Sequence, residues 1–158
     1  MWLAIRNRLN TREKLCKYGI SQDSRCGLCQ MGVETIDHLL FECPFSYRVW
    51  KSIRNKCCVN WADRTWDEWV EFCAKEFRGK KLGTYVKKLA FSASVYSIWR
   101  ERNNRVFRKE SKPEEVIVHE IVNLVRNRLM SMKRVKTNND DGWFLKEWNL
   151  PGSILRQI

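Results

Sequence analysis

Apolar residues recur at three- and four-residue spacing through most of the chain, which predicts helices rather than strands. Trp2, Leu3, Ile5 and Leu9 share one face of a first helix, with Arg6 and Arg8 outward. Thr11 is placed to cap a second, Arg12 to Tyr18, which Gly19 closes. Thr35 opens a short helix, Ile36 to Glu42. Pro44 suits the first turn of the next, where Phe45, Val49, Trp50 and Ile53 form an apolar stripe. Val59 to Arg64 breaks the pattern and reads as a linker.

Beyond it, Thr65 and Glu68 have the spacing of a capping box, and their helix runs to Phe77. Trp66, Trp69, Val70, Cys73 and Phe77 fall on one face. Tryptophans at that spacing are read as core rather than as stacking platforms for bases. Thr84 to Arg108 reads as one long helix, with Val86, Leu89, Ala90, Ala93, Ile98, Val106 and Phe107 inward. Ser111 and Glu114 mark another capped start. That helix extends to Val135 and buries Val118, Ile121, Val122, Val125, Leu129 and Met132. Trp143 to Ile158 is a tail whose Trp143, Phe144, Trp148, Leu150 and Ile154 either fold back on the helices or dock on a partner.

One stretch does not fit a simple amphipathic reading. Arg25 to Trp50 contains Cys26, Cys29, His38 and Cys43, spaced C-x2-C-x8-H-x4-C. Zinc prefers a tetrahedron of thiolate and imidazole ligands, and four protein ligands leave no position for a catalytic water. Gly27 lets the first pair wrap a tight turn. His38 and Cys43 lie five residues apart, about 140° around a straight α-helix. Pro44 pushes Cys43 out of the helical region, so that it can turn back toward the ion. A redox pair at Cys26 and Cys29, a disulfide or plain buried thiols are the weaker alternatives; no βαβ pattern surrounds the pair. Cys57 and Cys58 read as small buried residues. The expected fold is therefore mainly α: a small zinc-stapled helical module, residues 1–60, followed by a helical extension, residues 61–158.

Composition narrows the function classes. The 158 residues carry a formal net charge of +12, which calls for an anionic partner, most often nucleic acid. Candidate phosphate contacts are Arg6, Arg8, Arg12 and Lys14 beside the metal loop, and Arg100, Arg102, Arg105 and Arg108 in the long helix. Seven cysteines, an odd number, with no signal peptide ahead of them argue for a reducing, intracellular setting, the nucleus included. No apolar run reaches the length of a membrane span. The Asp140–Asp141 pair lacks the hairpin and third carboxylate of a polymerase site. No nucleophile–base pair, open metal site or GxxxxGK[ST] loop is present, so an independent enzyme is the least expected reading.

The runs WLAIRNRLNTREKL, CGLC and ETIDHLLFEC, ending at Val49–Trp50, resemble the zinc-binding domain at the C-terminal end of plant non-LTR (LINE-type) retrotransposon reverse transcriptases. The later run IWRERNNRVF, Ile98 to Phe107, is similar as well. The resemblance implies zinc on Cys26, Cys29, His38 and Cys43, with element RNA or target DNA as partner. Polymerase and endonuclease motifs are absent from these residues. The chain is thus expected to be a non-catalytic fragment, with the reverse-transcriptase portion a further partner. The competing expectation is a zinc-stabilised protein-interaction module that binds no nucleic acid.

Overall fold

A computed structural model of the chain describes residues 8–58, 65–79, 81–132, 135–136 and 141–156. Most of the expected first helix, including Arg6, and the linker at 59–64 lie outside the described residues. In chain order come α1 (Arg12–Lys17), a π-helical turn (His38–Glu42), α2 (Pro44–Cys57) and α3 (Trp66–Glu76). Then come α4 (Leu82–Asn103), a second π turn (Asn104–Arg108) and α5 (Glu114–Met130). β1 (Val135–Lys136), α6 (Asp141–Glu147), a 3₁₀ turn (Gly152–Ile154) and β2 (Leu155–Arg156) complete the fold. β1 and β2 pair in parallel, Val135 with Leu155 and Lys136 with Arg156. The molecule is mainly α, as the periodicity requires.

The core is built where α2, α4 and α5 pack together. Val49, Ile53 and Cys57 recur every four residues on α2, and Ile117, Ile121, Val125 and Leu129 do so on α5; all are buried. Between them lie Val86, Ala90 and Ile98 of α4. An aromatic cluster closes the side toward α3, with Phe41, Trp50, Trp66 and Trp69 packed around one another and around Phe91. Thr65 forms the expected capping box with Glu68. The indole N–H of Trp50 donates to the Leu40 carbonyl at 2.5 Å. That of Trp148 donates to the Lys56 carbonyl at 2.7 Å, so the tail folds back and seals the distal ends of α2 and α4. One hydrophobic cluster runs from Leu9 to Ile154, and the segments before and after residue 60 share it.

Four local expectations are revised. Ser111 does not cap α5: Lys112 N–H is held by Glu101 and the Lys112 carbonyl by Arg105, which keeps this segment extended through Pro113. α5 consequently starts at Glu114, ends at Met130, and buries Ile117 where Val118 was expected. Phe107 is not core but 70% exposed, because the π turn after α4 shifts its face away from that of Ile98. Cys57 is buried, and burial pushes its thiol up to about 12. Cys58, in the left-handed conformation that ends α2, is exposed.

Candidate metal centre

The ligand-bearing segment begins with a short antiparallel bridge between Arg25 and Val33. It closes a loop in which Cys26 N–H donates to the Gly32 carbonyl at 2.7 Å and Gln30 N–H to the Cys26 carbonyl at 2.9 Å. Gln30 takes the left-handed conformation, φ 61°, that lets the chain double back past Cys29. The second pair of ligands comes from the π turn. Thr35 caps it, its hydroxyl accepting from His38 N–H at 3.0 Å. Cys43 N–H then reaches the His38 carbonyl at 2.7 Å, a bond between residues five apart. An α-helix would set His38 and Cys43 about 140° apart. The wider turn stacks them on one side instead. Cys43 itself is extended (φ −60°, ψ 129°), as the following Pro44 demands.

The four donor atoms lie within 4.8 Å of one another. Cys26 Sγ and Cys43 Sγ are 3.9 Å apart, and Cys29 Sγ is 3.3 Å from His38 Nε2. A zinc tetrahedron, with bonds of about 2.3 Å to sulfur and 2.0 Å to nitrogen, requires about 3.8 Å and 3.5 Å for these separations. The set fits zinc in both donor chemistry and spacing. Cys43 is depressed to about 5 because the Cys26 thiol donates to it, outweighing burial, with help from the amides of Ser46 and Phe45 at the start of α2. Cys26, as the donor of that bond and buried, is shifted upward. A divalent cation between the two thiols would let both ionise. On the far side of the imidazole, Nδ1 faces the exposed Glu42 carboxylate at 3.9 Å, beyond hydrogen-bond reach, and Nε2 faces the Cys29 sulfur.

A buried carboxylate organises this loop from behind. Glu34 is 0% exposed, and its oxygens accept from Gly27 N–H at 2.7 Å and Arg12 N–H at 2.8 Å. Glu34 thereby caps α1, whereas Thr11, the expected cap, makes no such bond. The Arg102 guanidinium, 1% exposed, closes on the same carboxylate through Nε at 3.0 and 3.2 Å and NH2 at 2.6 Å. Gly27 is needed here for space. A Cβ at that position would lie 2.8 Å from Val106 Cγ2 and 3.2 Å from both Arg102 Cγ and Glu34 Oε2. In sequence Glu34 is one of three acids of the ligand segment, with Asp37 and Glu42, and nothing local marks it as the buried one.

The structure places the candidate phosphate-binding residues unevenly. Arg102 is withdrawn from that role by burial and by its bond to Glu34. Arg105 bonds Glu101 at 2.8 Å and the Leu28 carbonyl at 3.0 Å, with its guanidinium 4.4 Å over the Phe45 ring. Arg100 is bound to Glu120, and Arg12 to Asp23 at 2.9 Å. Lys14 is half-buried, and Arg8 and Arg108 are exposed. Arg100, Arg102 and Arg105 therefore tie the metal loop and α5 to the end of α4 rather than forming one phosphate-facing row.

A family model described as zinc-binding in reverse transcriptase matches residues 1–50, which include all four ligands. No curated protein and no solved structure matches the chain. Among the described residues, no helix is long and apolar enough to cross a membrane.

Proposed function

We propose that this chain is a non-catalytic, zinc-stabilised nucleic-acid-binding module, akin to the C-terminal part of a plant LINE-type reverse transcriptase. The observation that carries the reading is the closed Cys26–Cys29–His38–Cys43 set on a chain of net charge +12. Four protein donors complete the coordination shell, so the ion's role is to fold the loop and not to activate water. The excess positive charge supplies the sequence-independent attraction that phosphates provide a target for. Element RNA or target DNA is the partner this reading names, with the reverse-transcriptase portion alongside.

The test is zinc content of the purified chain and its Cys43→Ser variant, followed by a salt titration of binding to single-stranded RNA and duplex DNA. About one zinc per chain, lost in the variant, with affinity falling steeply between about 50 and 200 mM salt is the expected result. Binding indifferent to salt would refute the nucleic-acid half of the reading.

A second reading, a protein-interaction module, draws on exposed apolar side chains around the metal loop: Met31, Val33 and Phe107. Salt-insensitive association with a LINE-type polymerase segment, lost with Phe107→Ser and unaccompanied by nucleic-acid binding, would favour it.

A further inference from the structure

The three long helices alternate in direction. α2 leaves the metal loop at Pro44, α4 returns to it at Arg102, and α5 leaves it again at Glu114, which is bound to Arg48. The distal end, where α2 and α5 finish and α4 begins, is sealed by the tail. Phe144 of α6 lies against Gly83, Trp148 bonds the Lys56 carbonyl, and Arg126 of α5 donates to the Asn149 carbonyl at 3.1 Å. From Arg102 to Lys87 is fifteen residues along α4, about 22 Å at 1.5 Å per residue.

Cations are treated differently at the two ends. Near the metal, Arg12, Arg48, Arg100, Arg102, Arg105 and Lys112 are bound to carboxylates, while Arg8, Arg108 and Lys109 are exposed with no carboxylate at ion-pair distance among the described residues. At the distal end Lys56 is bound to Glu147, but Lys81, Lys87, Lys88 and Lys146 have no carboxylate at ion-pair distance among the described residues. Lys87 lies close enough to the end of α2 for its charge to act on Cys57. Helix stability accounts for Lys146, in the last turn of α6 where a cation suits the macrodipole, but not for Lys81. Lys81 is the cap residue of α4, whose first turn holds no acid, and a cation at a helix N-terminus opposes the macrodipole. Beside them Trp143 is 39% exposed on α6, three residues before Lys146 and hence on the same helical face.

We infer that this distal surface, Lys81, Lys87, Lys88, Lys146 and Trp143, binds single-stranded nucleic acid. The lysines meet phosphates, and the indole stacks on an unpaired base. A duplex would offer the indole no open face, which is why a single strand is the occupant. The inference rests on the nucleic-acid reading above and locates it away from the metal loop and from the arginines that the sequence singles out.

The experiment is fluorescence anisotropy of the zinc-loaded full chain with a 5′-labelled oligouridylate, read across about 50 to 200 mM potassium chloride. Lys87→Gln/Lys88→Gln/Lys146→Gln is compared with Lys17→Gln/Lys75→Gln/Lys112→Gln. The second set removes the same formal charge from lysines that are bound to Glu13, Glu71 and Glu120. With a slope of about −0.7 per phosphate contact for a single strand, losing three contacts shrinks the salt-induced loss of affinity about 20-fold. The distal set is expected to show this and the paired set to keep the wild-type slope. Trp143→Ala is expected to weaken binding about 10-fold with the slope unchanged. Equal slopes in both triple variants overturn the inference while the nucleic-acid reading stands. No salt-dependent binding by the wild-type chain overturns both.

Discussion

Replacing Arg102 with alanine tests how the metal loop is held. The substitution removes three nitrogen–oxygen contacts of 2.6 to 3.2 Å to Glu34 and the stacking of the guanidinium 4.9 Å over the Trp99 ring. Among the described residues Glu34 keeps the amides of Gly27 and Arg12, and it stays fully buried. Breaking a buried pair on one side costs about 3–5 kcal/mol, mostly the penalty of the charge left behind. A domain of this size has roughly 5–15 kcal/mol in hand, so the variant forfeits a large share of its stability. Arg102→Lys keeps the charge but cannot fork across both oxygens, and about 2 kcal/mol of loss is expected. Removing both charges, Glu34→Gln with Arg102→Met, leaves no buried ion unpaired and should cost less than Arg102→Ala alone. The assay is urea denaturation at saturating zinc, paired with the rate at which a chelator strips the ion. Cobalt substitution adds a check through the thiolate charge-transfer band, which reports whether the loop still presents its ligands. An Arg102→Ala chain within about 1 kcal/mol of wild type would refute the claim that this pair holds the loop.

Other predictions are smaller in scope. Gly27→Ala forces a methyl group into Val106, and a loss of about 1–3 kcal/mol is expected in the same denaturation assay, with zinc stoichiometry retained. For Glu120, burial raises the carboxyl, but the Lys112 hydrogen bond and the Arg100 charge outweigh it, and the folded-state pKa is lowered. Glu114 is lowered by its own backbone amide and by Arg48, again against a burial effect. A lowered carboxylate stabilises the fold above the unfolded value of about 4.3, and that contribution disappears as pH falls through the folded pKa. Glu120→Gln should therefore flatten the acid side of the stability profile below about pH 4.3, read by thermal melts. Trp148→Phe deletes the N–H that reaches the Lys56 carbonyl, and a loss of about 1 kcal/mol with an intact metal site is expected from melting of the cobalt form.

Much of the metal centre is legible in order along the chain. The pairing of Cys26 with Cys29, the Thr35 start and the Pro44 exit follow from spacing and from what proline allows. The same holds for the capping box at Thr65 and for the core faces of α2 and α3, because local periodicity reports which side of a helix is dry. Three things are not local. Whether the turn between His38 and Cys43 is α or π decides if they meet, and the spacing of the residues fits either. A basic residue looks the same in sequence whether it faces solvent or a buried acid. Arg102 and Glu34 lie 68 residues apart, and only the docking of α4 behind the loop turns a candidate phosphate contact into an internal clamp. Charge also has no position until the helices alternate. The sequence by itself determined a basic, helical, zinc-type chain, because composition and short-range spacing are properties of the strand of residues. The tertiary structure alone decided which cations are bound to carboxylates and which, among the described residues, are not, because ion pairs form between neighbours in space.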